Sequence, residues 1–301
     1  MSMPSRTGPG LPLTDPYIQR RATLALFFGA SVWGLYWVPL RELDRIGLEG
    51  GWAVALFNVC PLLILMPLVI WNRRTALTNL GPALFIGAAT GIGLGLYSTS
   101  IVLAPVIRMT MEFYLTSVWS TIIGVIWLSE KLDLRRIVTV TMGLFGLFLL
   151  LTGGSDLPEM ALGQGDVMAV ASGMLWALGA AGMKRWPEAH VLTTSAFQFA
   201  FAVLTGVLLT LVLLSVPVPE TAQMIAALPL SFAASNLLLL PSILAIFWAC
   251  RVLFPGRAAI LMMSEALVAT ISASLLLPEE TMTGMQWSGG AIVLLACLFG
   301  R

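Results

Sequence analysis

The stretch that decides the fold is RMTMEFYLTSVWSTIIGVIWLSE, residues 108–130. It opens on Arg108, closes on Glu130, and carries one charge between them, Glu112. As a helix with a rise of about 1.5 Å per residue it is long enough to cross a hydrocarbon core about 30 Å thick. At an ungapped offset of 149 it lies over RAAILMMSEALVATISASLLLPE, residues 257–279, matching Arg108 with Arg257, Thr121 with Thr270, Ile122 with Ile271, Leu128 with Leu277 and Glu130 with Glu279. The polar matches mark the same start, middle and end of a helix. A second register pairs Trp33-Gly34-Leu35 with Trp176-Ala177-Leu178. Together they indicate a duplication.

Composition agrees with membrane helices. Of 301 residues, 58% are apolar and 10% charged, and mean hydropathy is +0.92. A soluble domain carries about 25% charged residues, so this chain cannot wet its surface. Disorder is excluded by the same numbers, and a basic nucleic-acid binder by the near cancellation of 16 Lys and Arg against 15 Asp and Glu. The expected partners are the lipid bilayer and a small-molecule substrate, with no nucleic acid.

Ten apolar stretches predict spans over 22–40, 52–71, 82–103, 106–128, 137–152, 166–183, 193–216, 229–250, 255–277 and 284–299. The fifth and tenth are short and the third and fourth nearly touch at Ala104-Pro105, so nine spans is the alternative count. Cytoplasmic loops are enriched in Lys and Arg. With the N-terminus inside, 13 of the 16 basic residues fall inside, among them Arg6, Arg73, Arg136, Lys184, Arg251 and Arg301. Only Arg41, Arg45 and Arg108 fall outside, where Asp156, Glu159, Glu220, Glu279 and Glu280 also lie. Ten helices with both termini cytoplasmic is the expected topology. Residues 1–21 read as a polar tail, 22–152 as the first five-helix repeat, 153–165 as an external linker and 166–301 as the second repeat. An odd number of helices per repeat inverts the second relative to the first, an arrangement that places a transporter's substrate site between the halves near the midplane.

The chain resembles the EamA-type branch of the drug/metabolite transporter superfamily. The likeness rests on Trp33-Gly34, on Trp176-Ala177-Leu178-Gly179, and on Trp127-Leu128-Ser129-Glu130-Lys131-Leu132 with its weaker echo Leu277-Pro278-Glu279-Glu280. Tyr114-Leu115-Thr116-Ser117 is similar to the corresponding part of the bacterial aromatic-amino-acid exporters of that family, the YddG type. The resemblance implies two five-helix repeats in a bacterial inner membrane, no ATPase domain, and export of aromatic or other neutral amino acids or of organic cations such as paraquat. The family often has prolines in the fourth and ninth helices where this chain has Ser117 and Ala266, so gating through a proline kink finds no support in the sequence.

A charge inside the membrane costs roughly 2.5–3.5 kcal/mol at a helix centre, which makes Glu112 and Glu265 functional candidates. Glu265 stands ten residues past Pro255, near the midplane. Its functional reading is a site for a substrate amine, another cation or a coupling proton; the structural one is a hydrogen-bonded carboxyl. Arg108, Glu112, Thr116 and Ser120 make an i, i+4 stripe with Trp119 on the same side, and such a stripe must face protein or a wet cavity. Arg108 and Glu112 can also simply neutralise each other. Trp33, Tyr36, Tyr97, Trp176 and Trp248 are candidate cavity walls for flat or cationic solutes, with plain packing as the alternative. Asn236 and Gln198 are each explained by one interhelical hydrogen bond, and the GxxxG spacings of Gly87, Gly91 and Gly95 by close helix packing.

Enzyme chemistry finds little support. There is no Walker A or His-Glu-x-x-His pattern, the single histidine His190 is in a loop, and Cys60, Cys250 and Cys297 lie in apolar runs. Gly163-Gln164-Gly165-Asp166 has the form of an intramembrane aspartyl protease motif but lacks a second span aspartate, and Asp166 reads as a helix cap. No cofactor or metal is expected. A non-transporting membrane scaffold and an ion channel remain as alternatives to a carrier, the channel without the pore rings it needs.

Overall fold

The computed structural model describes residues 15–48, 51–155, 162–277 and 281–299. Arg6, Asp156, Glu159, Glu279, Glu280 and Arg301, used in the charge count above, lie outside them. The described residues are helices and their connections. Nine helical segments are long and apolar enough to cross a membrane, and Gly284–Phe299 is a shorter apolar tenth.

The first helix, Pro16–Trp33, continues after a turn as Trp37–Arg45. It begins six residues before the expected boundary because Asp15 accepts the Tyr17 amide at 2.7 Å and Pro16 takes the first helical position, where its missing N–H costs nothing. The next are Gly51–Trp71, Leu80–Leu103, a fourth in two pieces (Val106–Phe113 and Thr116–Leu128), and Leu134–Thr152, started by the Asp133 cap on the Arg136 amide. The sixth is Gln164–Arg185, and the seventh is Val191–Leu209 with a π-helical end.

The eighth helix corrects the sequence reading. It begins at Thr221, with Pro229 inside its first piece Thr221–Ala234, and runs through a π-helical turn, Ser235–Leu239, into Leu240–Val252. Wider π turns reconcile a proline with a continuing helix, which is how Pro241 is accommodated just after one. The ninth is again in two pieces, Pro255–Met262 and Ser264–Leu276.

The packing repeats itself under exchange of the halves. The third helix packs on the sixth as the eighth packs on the first; the fourth packs on the sixth as the ninth packs on the first. The fifth pairs with the tenth, and the second with the seventh. Register is kept in detail: the Ser242 hydroxyl donates to the Gly29 carbonyl at 2.7 Å, and at the equivalent place Gly93 lies against the Ser172 carbonyl. One contact breaks the symmetry. The seventh helix also packs tightly on the third, because Gly87, Gly91 and Gly95 present bare backbone to Phe197, Gln198 and Thr205. In lipid, where apolar burial gives no drive, such close van der Waals contact is what joins helices. Phe28, Ile126, Leu237 and Leu298 stay exposed on the outside of the bundle, apolar surface of the kind lipid covers.

Candidate functional site: an aromatic cleft between two broken helices

The fourth and ninth helices break at matching positions. Tyr114 stands at the first break with φ −71° and ψ −3°, Met263 at the second with φ −61° and ψ −15°, and the 149-residue offset superposes the two. Neither break contains proline. Glycines of the neighbouring helices pack closely beside them: Gly34, just after the first helix, lies against the Glu265 carbonyl, and Gly173 of the sixth against the Phe113 carbonyl. A side chain on either would collide with backbone. The two breaks meet, the Tyr114 hydroxyl donating to the Met262 carbonyl at 3.3 Å.

Beside this junction lies a cleft lined by Trp33, Leu94, Tyr97, Phe113, Trp176, Met262 and Glu265. Its free space is about 20 Å³, room for roughly one water. Trp33 and Trp176, the pair matched between repeats, meet edge to face at 6.2 Å. The Trp176 indole N–H points to the Met262 sulfur at 3.3 Å, and Tyr97 packs against Phe113 with ring centres 4.7 Å apart and planes tilted by 39° while sharing a 3.0 Å hydrogen bond with Thr110. Glu265 is the only charged residue of the lining. Aromatic faces around one carboxylate attract a flat or cationic solute.

Of the residues expected at the site, Trp33, Tyr97, Trp176 and Glu265 come together here. Tyr36 is adjacent, edge to face with Phe57 at 4.9 Å in a neighbouring hollow. Thr116, Trp119 and Trp248 are not among the lining residues. The stripe that grouped Thr116 with Arg108 and Glu112 assumed an unbroken helix, and the turn at Tyr114 and Leu115 interrupts its register. Sequence reasoning did not assign Tyr114, Phe113, Leu94 or Met262; the equivalence of positions 114 and 263 was the available signal for Tyr114.

Glu112 belongs to a separate cluster at the end of the bundle where the fourth helix starts. Arg108 Nε meets Glu112 Oε1 at 3.2 Å and Arg108 Nη2 meets Asp166 Oδ1 at 2.6 Å. Asp166 also accepts the Gly163 amide at 2.6 Å, the helix cap the sequence indicated. A cavity of about 270 Å³ adjoins the cluster, and a second, of about 450 Å³, is lined by residues including Trp37, Arg41, Thr270 and Gln286. At the opposite end, Arg257 Nη2 donates to Thr23 Oγ1 at 2.6 Å, Lys184 Nζ to the Val252 carbonyl at 2.5 Å, and buried Glu130 pairs with Arg136. Two polar expectations change. Asn236 donates to the Phe232 carbonyl of its own helix at 2.9 Å, and the buried Gln198 amide has no hydrogen-bond partner among the described residues.

The sequence model of the EamA-like transporter family matches residues 20–152. Among curated proteins, none matches. One solved crystal structure, whose title names no function, superposes with a TM-score of 0.72 over 93% of this chain and 97% of its own, at 16% identity, a likeness that speaks for the fold alone. That family is one of membrane transporters and not of enzymes, and the first half of this multi-pass protein carries its signature. Residues 20–152 are an EamA-like transporter domain of the drug/metabolite transporter superfamily.

Proposed function

We propose that the protein is a secondary carrier that exports a small amphipathic solute through alternating access to the cleft around Glu265. Aromatic and other neutral amino acids are the first candidates, by the family resemblance, and flat organic cations such as paraquat the second. The observation that carries this reading is the cleft itself, aromatic rings about one carboxylate at the meeting point of two broken helices. Broken helices at the interface of inverted repeats form the substrate sites of many secondary transporters.

In this reading Trp33, Tyr97 and Trp176 stack on the flat part of the solute, and Glu265 holds its amine or, between solutes, a proton. The distribution of Lys and Arg supports an orientation with both termini in the cytoplasm, and the family resemblance points to a bacterial inner membrane. The end bearing Arg108 then faces outward and the end bearing Arg257 inward. The test is uptake of labelled phenylalanine, tryptophan, paraquat and a control sugar into proteoliposomes, with and without a pH gradient. Saturable flux of an aromatic amino acid or of paraquat, with none of the sugar, is expected. Absence of saturable flux for every solute overturns the reading.

A further inference from the structure

The two ends of the bundle, equivalent under the inverted repeat, are filled differently. Offset 149 carries Ile107 onto Gly256, Thr121 onto Thr270 and Gly124 onto Ala273, and offset 143, which matches Trp33 with Trp176, carries Arg41 onto Lys184. At the Arg257 end the chain itself fills the space among these positions. The Glu130 carboxylate lies against Gly124 and pairs with Arg136, the Arg136 guanidinium lies against Gly256 and Lys184 is within electrostatic reach of Glu130. At the Arg108 end the space bounded by Ile107, Thr270, Ala273 and Arg41 is instead the cavity of about 450 Å³. That volume is in the range of small-molecule sites, about 300–1,000 Å³.

The walls are apolar, with Trp37, Ile107, Leu150, Leu151 and Leu277 among them, and the Trp37 ring is held by its indole N–H donating to the Ser272 hydroxyl at 3.0 Å. Among the described residues, Arg41 is the only charged group of the lining, and none of the lining is shared with the cleft around Glu265. The cavity is open, and two of its walls are the fifth and tenth helices, which pack chiefly on each other and touch the ninth only sparsely. We propose that it binds an anionic phospholipid, one acyl chain along the apolar walls and the phosphate at Arg41. The charge follows from the comparison of the ends, since the chain places its own carboxylate beside the lysine that stands in Arg41's position. A guanidinium holds a phosphate with two parallel hydrogen bonds, and a basic pocket between membrane helices is the form that anionic headgroup sites take. The chain follows from the walls, which offer a small anion nothing beyond Arg41 and a few neutral polar groups but bury hydrocarbon along their length. The site stands whether or not the protein carries solute.

The test places the full chain in phosphatidylcholine nanodiscs with a trace of phosphatidylglycerol or phosphatidylcholine that carries a photoactivatable group on its acyl chain. Crosslinked residues are mapped by mass spectrometry. In the wild type, phosphatidylglycerol is expected to label Leu150, Leu151 and Leu277 about fivefold more than phosphatidylcholine does, the factor that roughly 1 kcal/mol per basic residue beside anionic lipid gives. Arg41→Gln, at an exposed position, removes that preference. Ala273→Phe, which narrows the cavity, lowers labelling by both lipids. Phe28 and Leu237, exposed on the outside of the bundle, report ordinary lipid contact and label equally in all variants. Equal labelling of the cavity by the two lipids in the wild type, or a preference that survives Arg41→Gln, overturns the proposal. Glu279, which offset 149 matches with Glu130, lies outside the described residues. A preference that appears only in Glu279→Gln also overturns the proposal, because the chain's own carboxylate then fills the site as at the other end. If Ala273→Phe does not fold, Arg41→Gln decides alone.

Discussion

The hydroxyl of Tyr114 donates to the carbonyl of Met262, and this single contact ties the break in the fourth helix to the break in the ninth. A carbonyl at a helix break has lost its i+4 partner and needs another donor. Tyr114 is fully buried and provides one. The breaks therefore support each other across the pseudo-twofold relation between the repeats.

That relationship predicts how the fourth helix tolerates proline. Ser117 is in the first turn of Thr116–Leu128, where its amide and its hydroxyl both donate to the Tyr114 carbonyl, at 3.1 and 3.0 Å. Ser117→Pro is expected to cost about 1–2 kcal/mol, the worth of those two ordinary hydrogen bonds, against about 3 kcal/mol or more for Ile122→Pro in the middle of that helix. Thermal unfolding in detergent measures both. Equal losses would show that the break is not a natural helix start.

The glycines of the third helix give a second prediction. A methyl group at Gly91 meets the Gln198 carbonyl, the Phe201 side chain and the Ala202 amide, whereas one at Gly81 meets nothing within 4 Å. Gly91→Ala should destabilise by about 1–3 kcal/mol through overpacking. Gly81→Ala, near the start of the same helix, should be neutral or slightly stabilising, by up to about 1 kcal/mol. Melting temperatures of the two variants check the contrast.

Glu130 predicts a pH dependence. It sits in the connection after the fourth helix, buried against Gly124 and paired with Arg136. Burial pushes its carboxyl above the ordinary value of 4.5, with the Arg136 pairing opposing. The folded state then holds that proton more tightly than the unfolded state, so this group's contribution to stability falls as pH rises from about 4.5 through the raised value and is level beyond it. The melting temperature of the wild type minus that of Glu130→Gln should decline over that window. A difference independent of pH would contradict the burial of an ionisable group there.

Much of the fold could be read from the chain because lipid imposes a simple code of apolar length and loop charge. The offset that placed Arg108 over Arg257 also relates the paired breaks, but the sequence there reads as continuous spans, with Ser117 and Ala266 where a proline kink would have signalled them. Gly34 and Gly173, distant in sequence, let neighbouring backbone pack close beside the two broken helices, a contact no local pattern shows. Pro229 misled for the complementary reason: taken as a helix start, it lies inside Thr221–Ala234. At the site, Trp33, Tyr97, Trp176 and Glu265 were legible one by one as mid-span exceptions to an apolar pattern. Their meeting was not, and neither was Asp166 beside Arg108, since both depend on how the two repeats dock. Thr116 shows the limit most clearly, because its place on a stripe held only for a helix that did not break.

The central claim is that the cleft around Glu265 is where solute is carried, and counterflow in proteoliposomes tests it most directly. The initial exchange rate of labelled tryptophan, or of whichever solute of the panel moves fastest, is compared in wild type, Glu265→Gln, Trp176→Ala and Trp248→Ala. Trp248 is outside the cleft lining. Loss of the carboxylate or of the Trp176 ring should lower the rate about tenfold or more, equivalent to roughly 1.4 kcal/mol of solute interaction, while Trp248→Ala stays near wild type. Unchanged exchange in both Glu265→Gln and Trp176→Ala, in protein that remains folded, would contradict the account.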